Sequence, residues 1–208
     1  SWRGMEGGIQ AAKQKHKVVF TPGSHCYFDH YQSLSPAEPL AIGGYTTTEK
    51  VYSFDPMAGV PAEYQNYILG AQGNVWTEYM TNTKKIEYMV FPRISALSEI
   101  LWSPKKNQSW EFFEKRLMEQ FNRYDKMGID YCPGFFDLHS SVIPAPDQKG
   151  VLWKLESKFK EPIYINFNNW DTIWPYKAPQ VIDFNARASA STNVQGMNMV
   201  VKQNFHLN

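Results

Sequence analysis

A short, partly apolar run that follows a glycine, residues 71–76, constrains the fold of this 208-residue chain more than any other feature. Its sequence, AQGNVW, is typical of a buried strand. We therefore expect a strand over residues 71–76 that ends at Trp76-Thr77-Glu78. Residues two apart on a strand point to the same side, so Trp76 and Glu78 are predicted to share one face of a sheet.

An indole and a carboxylate on one face form a surface that suits a sugar. The indole can cover the apolar C–H face of a pyranose ring, and the carboxylate can accept hydrogen bonds from its hydroxyl groups. The alternative interpretation is that Trp76 belongs to the core and Glu78 begins a solvated loop. Taken by itself, this pair of residues favours that alternative, because so short a motif is weak support for a function.

Strands and helices alternate around this stretch. Trp2 stands where a strand would end, and residues 9–16 have the composition of a helix. Residues 17–21, KVVFT, form a β-branched run that Pro22-Gly23 stops, and residues 24–32 follow as a loop. The order of strand, helix and strand predicts a parallel sheet.

Two long amphipathic patterns come next. Residues 84–102 repeat apolar side chains at steps of three and four, and Pro92 is expected to kink this helix or to begin it. Residues 109–127 form a second pattern of this kind, which Gly128 should end. Shorter helical turns are expected over residues 47–54 and 61–67.

The character of the sequence changes at Pro133. Three strands are expected after it, over residues 151–159, 162–167 and 181–184. The polar residues from Asn185 onward are predicted to be weakly ordered or to form an edge strand. We therefore predict two domains, residues 1–133 and a small β-rich module at residues 134–208.

Charge and composition exclude several classes of function. The net charge is +1 and no basic stripe is visible, so nucleic acid is not an expected partner. No apolar run approaches the roughly 20 residues of a membrane span.

The spacing of His25, Cys26, Asp29 and His30 does not fit a zinc site, so no metal or other cofactor is expected. His25 and His30 are interpreted as loop or supporting residues, and Cys26 and Cys132 imply no disulfide framework.

Several motifs together resemble the family 20 glycoside hydrolases, the β-N-acetylhexosaminidases. The two most specific are YFDHYQ at residues 27–32 and GNVWTEY at residues 73–79. Others in matching order are SWRG at residues 1–4, Gly43-Gly44, TTEKVYSFDP at residues 47–56, Glu87-Tyr88-Met89, Phe91-Pro92-Arg93 and Ala96-Leu97. The resemblance covers roughly residues 1–125.

The resemblance implies a (β/α)8 barrel whose active site lies at the carboxyl ends of the strands. A full barrel needs about 250 residues. The expected fold is therefore α/β: about three βα units from the C-terminal part of such a barrel, followed by a small β-rich segment.

The implied activity is exo-hydrolysis of terminal non-reducing GlcNAc or GalNAc by substrate-assisted retaining catalysis, the exception to two-carboxylate chemistry that this family represents. The acetamido oxygen of the substrate attacks its own anomeric carbon. By resemblance, Tyr27 is catalytic and stabilises the acetamido group as it becomes an oxazolinium ion. Asp29 and Glu78 would bind sugar hydroxyls, and Trp2 and Trp76 would wall the pocket.

The Asp-Glu pair that supplies the general acid in this family is missing, since the sequence contains no Asp-Glu doublet. Three interpretations stay open: the C-terminal half of an exo-β-N-acetylhexosaminidase, a non-catalytic GlcNAc-binding remnant, or one chain of a split assembly whose partner brings the acid. The expected partners are an amino-sugar glycan and either the remainder of the barrel or a second copy. The expected location is secreted or periplasmic, or lysosomal in a eukaryote.

Overall fold

The structure is a computed structural model that describes residues 2–35, 38–145, 150–167, 173–182, 187–194 and 197–204. The chain forms two compact units. The N-terminal unit comprises Ser1–Ser33 and Pro39–Cys132, and the C-terminal unit comprises Leu34–Glu38 and Pro133–Asn208. All five predicted site residues lie in the N-terminal unit.

The N-terminal unit opens with helix α1, Glu6–Lys13, which leads into strand β1, Val18–Phe20. The helix begins and ends three residues earlier than predicted. It cannot continue through Lys15, which adopts a left-handed φ of 66°. Gly8 lies directly against the ring of Phe20, where any Cβ would overlap it. The helix can therefore pack closely on the strand.

Strand β2, Ile68–Ala71, pairs in parallel with β1. The strand predicted over residues 71–76 is therefore wrong, because the ladder ends where that prediction begins. Its partner β1 is only three residues long, and Pro22, two residues past its end, has no N–H with which to extend the pairing. The third strand, expected before Trp2, lies outside the described residues.

Two short α-helices and one 3-10 helix occupy the chain between these strands. They are α2, Gly23–Cys26, α3, Thr48–Tyr52, and the 3-10 helix Ala62–Tyr67. The hydroxyl of Thr47 caps α3 by accepting a hydrogen bond from the Lys50 N–H at 3.0 Å. The helical turns predicted over residues 47–54 and 61–67 are thus confirmed, whereas α2 begins at a place where a loop was expected.

The long pattern over residues 84–102 forms two helices, α4, Thr83–Val90, and α5, Arg93–Trp102. They separate at Phe91-Pro92, which confirms that Pro92 interrupts the pattern. The side chain of Asn82 caps the first helix by accepting from the Lys85 N–H at 2.9 Å.

Helix α6, Trp110–Met127, confirms the second amphipathic pattern. It ends as predicted at Gly128, whose φ of 67° suits glycine. Ser95 on α5 and Tyr124 on α6 join the two helices through hydroxyl groups 2.6 Å apart. None of the helices in the described part of the chain is long and apolar enough to cross a membrane.

The C-terminal unit is built from two small antiparallel sheets. Seven strands of this unit lie in the described residues. In chain order they are β3 (His139–Pro144), β4 (Val151–Glu156), β5 (Tyr164–Phe167), β6 (Trp174–Pro175), β7 (Gln180–Ile182), β8 (Arg187–Val194) and β9 (Met197–Asn204). The first sheet has the order β3-β4-β7 and the second has the order β6-β5-β8-β9. The indole N–H of the buried Trp153 donates to Ser140 Oγ at 2.8 Å within the first sheet.

Three of these strands match the strand predictions. They are β4, β5 and β7, although residues 183–184 of the third prediction lie outside the described residues. Of the polar end of the chain, β9 is an edge strand as expected, while β8 lies inside the second sheet. Strand β3 was not predicted, since all six of its residues are exposed and nothing in its sequence alternates.

Candidate active site

The chain segments that leave the carboxyl ends of β1 and β2 stay hydrogen-bonded to each other. The Asn74 N–H donates to the carbonyl of Cys26 at 2.7 Å, and the Phe28 N–H donates to the carbonyl of Asn74 at 2.8 Å. These bonds form an isolated parallel bridge between Tyr27 and Asn74. The two segments that carry four of the five predicted site residues therefore meet at one edge of the sheet.

Trp2 is attached to the same edge through its backbone. Its carbonyl accepts a hydrogen bond from the Gly23 N–H at 2.9 Å, at the start of α2. Its indole is 55% exposed, and the Arg3 guanidinium carbon lies 4.5 Å from the ring centroid. The structure thus brings Trp2 beside the segment that leads to Tyr27 and leaves its ring open to contact.

Asp29 is the most deeply placed of the predicted site residues. Only 6% of its surface is exposed, and its Oδ1 atom has no hydrogen-bond partner among the described residues. An unpartnered buried carboxyl oxygen is costly in free energy. Such a group in a folded chain therefore needs an explanation.

Five influences set the ionisation of Asp29. Burial raises its pKa above the ordinary value of 3.8, and the nearby Glu78 carboxylate raises it further. Its own backbone N–H and the charges of His30 and Arg93 act in the opposite direction. The coupling to Glu78 indicates that the two predicted hydroxyl-binding carboxylates lie in one neighbourhood.

Tyr27 is half-buried, and its ring centroid lies 5.7 Å from that of His30. His30 Nδ1 lies 3.0 Å from the hydroxyl of Thr46, and burial lowers the pKa of the imidazole. His25 Nδ1 lies 2.8 Å from Ser24 Oγ, and burial likewise lowers its pKa. Both histidines lie within hydrogen-bond distance of a hydroxyl. His25 lies on α2 and not in a loop, and the interpretation of the two as loop or supporting residues stays a prediction.

Trp76 and Glu78 lie beyond the end of β2 and not on it. Trp76 is 52% exposed, so the alternative that placed it in the core is wrong. Glu78 is exposed in a turn. The expectation that strand alternation aligns these two side chains is also wrong, since no strand includes them.

The described residues form neither a metal site nor a reactive thiol. Among the described residues, no group of three or more His, Cys, Asp or Glu side chains is placed to hold a metal ion. Cys26 and Cys132 are buried free thiols, and burial raises the pKa of Cys26 to about 12. A thiol that stays protonated at neutral pH is a poor nucleophile.

A groove of about 520 Å³ lies on helices α5 and α6, and it includes none of the predicted site residues. Trp102 and the ion pair of Arg116 with Glu99 line it. We place the candidate site at the sheet edge, because that is where the unpartnered carboxylate and the two site segments lie.

Three residues at this edge were not identified from the sequence as contributors. Asn74 bridges the two segments through its backbone and donates from Nδ2 to Thr21 Oγ1 at 2.9 Å. Gln32 and Arg93 are buried and donate to backbone carbonyls. All three lie inside motifs quoted from the sequence, GNVWTEY at residues 73–79, YFDHYQ at residues 27–32 and Phe91-Pro92-Arg93, but no local pattern indicates the contacts they make.

One known family and several known proteins match this chain in sequence. The family described as "Glycosyl hydrolase family 20, catalytic domain" matches residues 1–105. A β-hexosaminidase from Porphyromonas gingivalis is 41% identical over 152 residues, which are 72% of this chain and 18% of that protein. A chitooligosaccharidolytic β-N-acetylglucosaminidase from Ostrinia furnacalis is 32% identical over 128 residues, 61% of this chain and 21% of that protein.

Solved structures agree with the sequence matches. The GH20 exo β-N-acetylglucosaminidase of Vibrio harveyi, in complex with N-acetylglucosamine, matches 64% of this chain and 21% of its own, with a TM-score of 0.59 and 31% identity. The GH20 β-N-acetylhexosaminidase of Streptomyces coelicolor matches 60% of this chain and 25% of its own, with a TM-score of 0.54 and 27% identity. The chain thus spans at most about a quarter of these relatives. Since the family match covers about half of its residues, this chain belongs to glycosyl hydrolase family 20, a family of glycoside hydrolases.

Proposed function

We propose that this chain supplies part of the sugar-binding pocket of an exo-β-N-acetylhexosaminidase, which removes terminal non-reducing GlcNAc or GalNAc. The observation that carries the proposal is the buried Asp29, whose Oδ1 lacks a partner among the described residues. Asp29 also lies at the edge where the two site segments meet. Sugar hydroxyls are donors that would satisfy such an acceptor.

The proposed chemistry uses the acetamido group of the substrate as the nucleophile. Its carbonyl oxygen bonds to the anomeric carbon while the bond to the leaving oxygen breaks, and the leaving oxygen takes a proton from a general acid. The resulting oxazolinium ion is then opened by water. Tyr27 donates its hydroxyl hydrogen bond to the acetamido oxygen and so orients it for attack.

The other predicted site residues bind the sugar. Asp29 and Glu78 accept hydrogen bonds from its outer hydroxyls, and a charged acceptor is worth roughly 1.5–3 kcal/mol. Trp2 and Trp76 present exposed indoles that would cover the ring and acetamido group and exclude water. Because both indoles are exposed in this chain, they are open to contact with a sugar.

We propose that the general acid comes from outside this chain, because the sequence has no Asp-Glu doublet. The N-terminal unit would be the C-terminal part of a (β/α)8 barrel, about three βα units within residues 1–133. Within the described residues, β1 and β2 pair only with each other, so each leaves one edge for a neighbouring strand. The remainder of the barrel or a second copy would supply it, and residues 134–208 would form a separate module.

The substrate class suggests where the protein acts. The chitooligosaccharide-degrading relative is in keeping with glycans or chitin fragments as substrates. We propose a secreted or periplasmic location, or a lysosomal one in a eukaryote, since such glycans are abundant there.

The test uses the full-length protein that contains this sequence and a nitrophenyl β-GlcNAc substrate. The wild-type protein should release nitrophenol, and Asp29→Asn should lower kcat/KM by roughly 10- to 100-fold, the loss of a charge-assisted hydrogen bond. Ser95→Ala, which removes a hydroxyl pair between α5 and α6, is the control and should keep wild-type kinetics. GlcNAc binding without turnover by the wild-type protein would instead establish a non-catalytic binding protein.

The 208-residue chain by itself should show negligible turnover of the same substrate. General acid catalysis is worth roughly a hundred- to ten-thousand-fold, and the sequence lacks the family's acid. Appreciable hydrolysis by the purified 208-residue chain would contradict the proposal that the general acid comes from outside this chain.

A further inference from the structure

The break between helices α4 and α5 leaves backbone carbonyls in need of donors. In a continuous α-helix the Tyr88 carbonyl would accept from the N–H of residue 92. That residue is Pro92, which has no N–H to give. A buried carbonyl left in this way must find another donor.

Gln32 supplies that donor from the loop that carries the candidate site. Its Nε2 donates to the Tyr88 carbonyl at 2.6 Å and also lies 3.3 Å from the Met89 carbonyl and 3.4 Å from the Phe91 carbonyl. The side chain is only 5% exposed. Gln32 lies three residues after Asp29, so this bond ties the end of the loop to the helix break.

Arg93 holds the same loop from the other side of the break. It is 0% exposed, and its guanidinium donates to the Phe28 carbonyl at 2.6 Å and to the His30 carbonyl at 3.0 Å. Those two carbonyls belong to the residues on either side of Asp29. Further bonds to the carbonyls of Thr46 and Met89 fix the guanidinium itself.

We infer that Arg93 and Gln32 are positioning residues, which hold the loop of residues 27–32 against the α4–α5 break and so fix where Tyr27 and Asp29 meet the sugar. The inference rests on the function proposed for that loop. The planar guanidinium can place several N–H donors in one fixed arrangement, which a lysine ammonium cannot reproduce. The peptide groups flanking Asp29 are thereby held from outside the loop.

Arg93 also brings a buried positive charge close to Asp29. The groups whose charges act on Asp29 are His30, Arg93 and Glu78. The Arg93 charge lowers the pKa of Asp29, against the effect of burial. Geometry and charge are therefore two separable contributions of one side chain, and different substitutions of Arg93 distinguish them.

The test measures kcat, KM and their pH dependence in the full-length protein with a nitrophenyl β-GlcNAc substrate. Gln32→Ala and Arg93→Lys should each lower kcat by roughly 10- to 100-fold, the scale expected when a reacting group is misplaced by about 1 Å. Arg93→Lys keeps the charge, so the acid limb of kcat/KM should stay in place. Arg93→Gln removes the charge, so that limb should move to higher pH.

Ser95→Ala is the matched control, because Ser95 also lies on α5 and makes a partly buried hydrogen bond, but to Tyr124 of α6. It should leave kcat, KM and the acid limb unchanged. Hydrogen exchange supplies a readout that does not depend on activity. The amides of residues 27–32 should exchange faster in Gln32→Ala than in the wild-type protein, and in Ser95→Ala they should not.

The inference would be overturned if Gln32→Ala kept the wild-type kcat and its amides at residues 27–32 exchanged as slowly as in the wild-type protein. This result would hold whether or not the Arg93 variants fold. An inactive wild-type protein would count against the proposed function alone, and the exchange of residues 27–32 would still decide the positioning role. An equal loss of kcat in Ser95→Ala would also overturn the inference, because the loss would then follow from any weakening of α5 and not from the bonds of Gln32 and Arg93.

Discussion

The two segments that form the candidate site differ in how they are held. Residues 27–32 include the buried Asp29 and Gln32, and the side chain of Arg93 binds the backbone of the segment on both sides of Asp29. Residues 73–78 end in an exposed Trp76 and an exposed Glu78. The backbone of Asn74 hydrogen-bonds this segment to the first one, and Gly73 packs against the ring of Phe28.

This difference suggests a division between preorganised and adaptable groups. Groups that are fixed before the substrate arrives can favour the transition state without reorganising during the reaction. Exposed groups lose freedom only when they bind the substrate, so they contribute mainly to binding. Substitutions in the first segment should therefore act on kcat, and substitutions at the tip of the second should act on KM as well.

The largest effect is expected for Tyr27→Phe in the full-length protein. Removal of one preorganised donor to a developing charge costs roughly 10²–10³-fold in kcat, and KM should change little. Steady-state kinetics with nitrophenyl β-GlcNAc measure both constants. An effect confined to KM would show that Tyr27 only binds the ground state, and the contrast between the segments would disappear.

Glu78→Gln should have a smaller effect of a different kind. Loss of a charged acceptor is worth roughly 1.5–3 kcal/mol, which is about a 10- to 100-fold fall in kcat/KM, with a raised KM as well as a lower kcat. Glu119→Gln on α6 is a control at another carboxylate and should leave both constants unchanged. Unaltered kinetics in Glu78→Gln would remove Glu78 from the site.

Gly73→Ala tests how closely the two segments pack. A Cβ on Gly73 would lie 2.5 Å from the ring of Phe28, so the substitution should lower the free energy of unfolding. Overpacking of this kind typically costs about 1–3 kcal/mol. Gly23→Ala is the control, since its Cβ would meet its nearest neighbour at 3.6 Å. Denaturant titrations that give equal stabilities for the two variants would show that the segments can move apart.

The smallest effect is the pH dependence of stability that Asp29 contributes. Because folding raises the pKa of Asp29 above 3.8, the native state binds this proton more tightly than the unfolded state does. The stabilisation is complete below pH 3.8 and is lost as the pH rises through the pKa of the folded state. Relative to Asp29→Asn, the Tm of the wild-type protein should therefore fall over this window. A Tm difference that is constant with pH would mean that Asp29 is not desolvated.

The sequence predicted the two long helical patterns of the N-terminal unit well and its second strand poorly. The apolar repeats of α5 and α6 persist over several turns, and Pro92 and Gly128 are strong local signals. Strand β2 has only four residues, and the glycine-bounded run after it has a similar composition. Pairing with β1, not local composition, decides where that strand ends.

The supporting residues of the site were beyond sequence patterns for a related reason. Arg93 and Gln32 act through backbone carbonyls far away in the chain, and such contacts leave no periodicity. The motifs identified the segments that carry Tyr27, Asp29, Trp76 and Glu78, but they gave no sign of which segment is buried. Burial depends on packing between helices and strands that are distant in the sequence, so a short stretch of sequence does not reveal it.

The parallel pairing of β1 with β2 has a consequence for the order of folding. Val18 pairs with Ile68, so the pairing closes a loop of 50 residues. Closure of such a loop costs about 3–4 kcal/mol of chain entropy by a (3/2)RT ln n estimate, whereas contacts between the neighbouring helices α5 and α6 are local. Long-range pairings of this kind form slowly. During synthesis the edge of β1 that pairs with β2 must therefore stay unpaired until the chain through Ala71 has been made. The bridge between Tyr27 and Asn74 forms only after that.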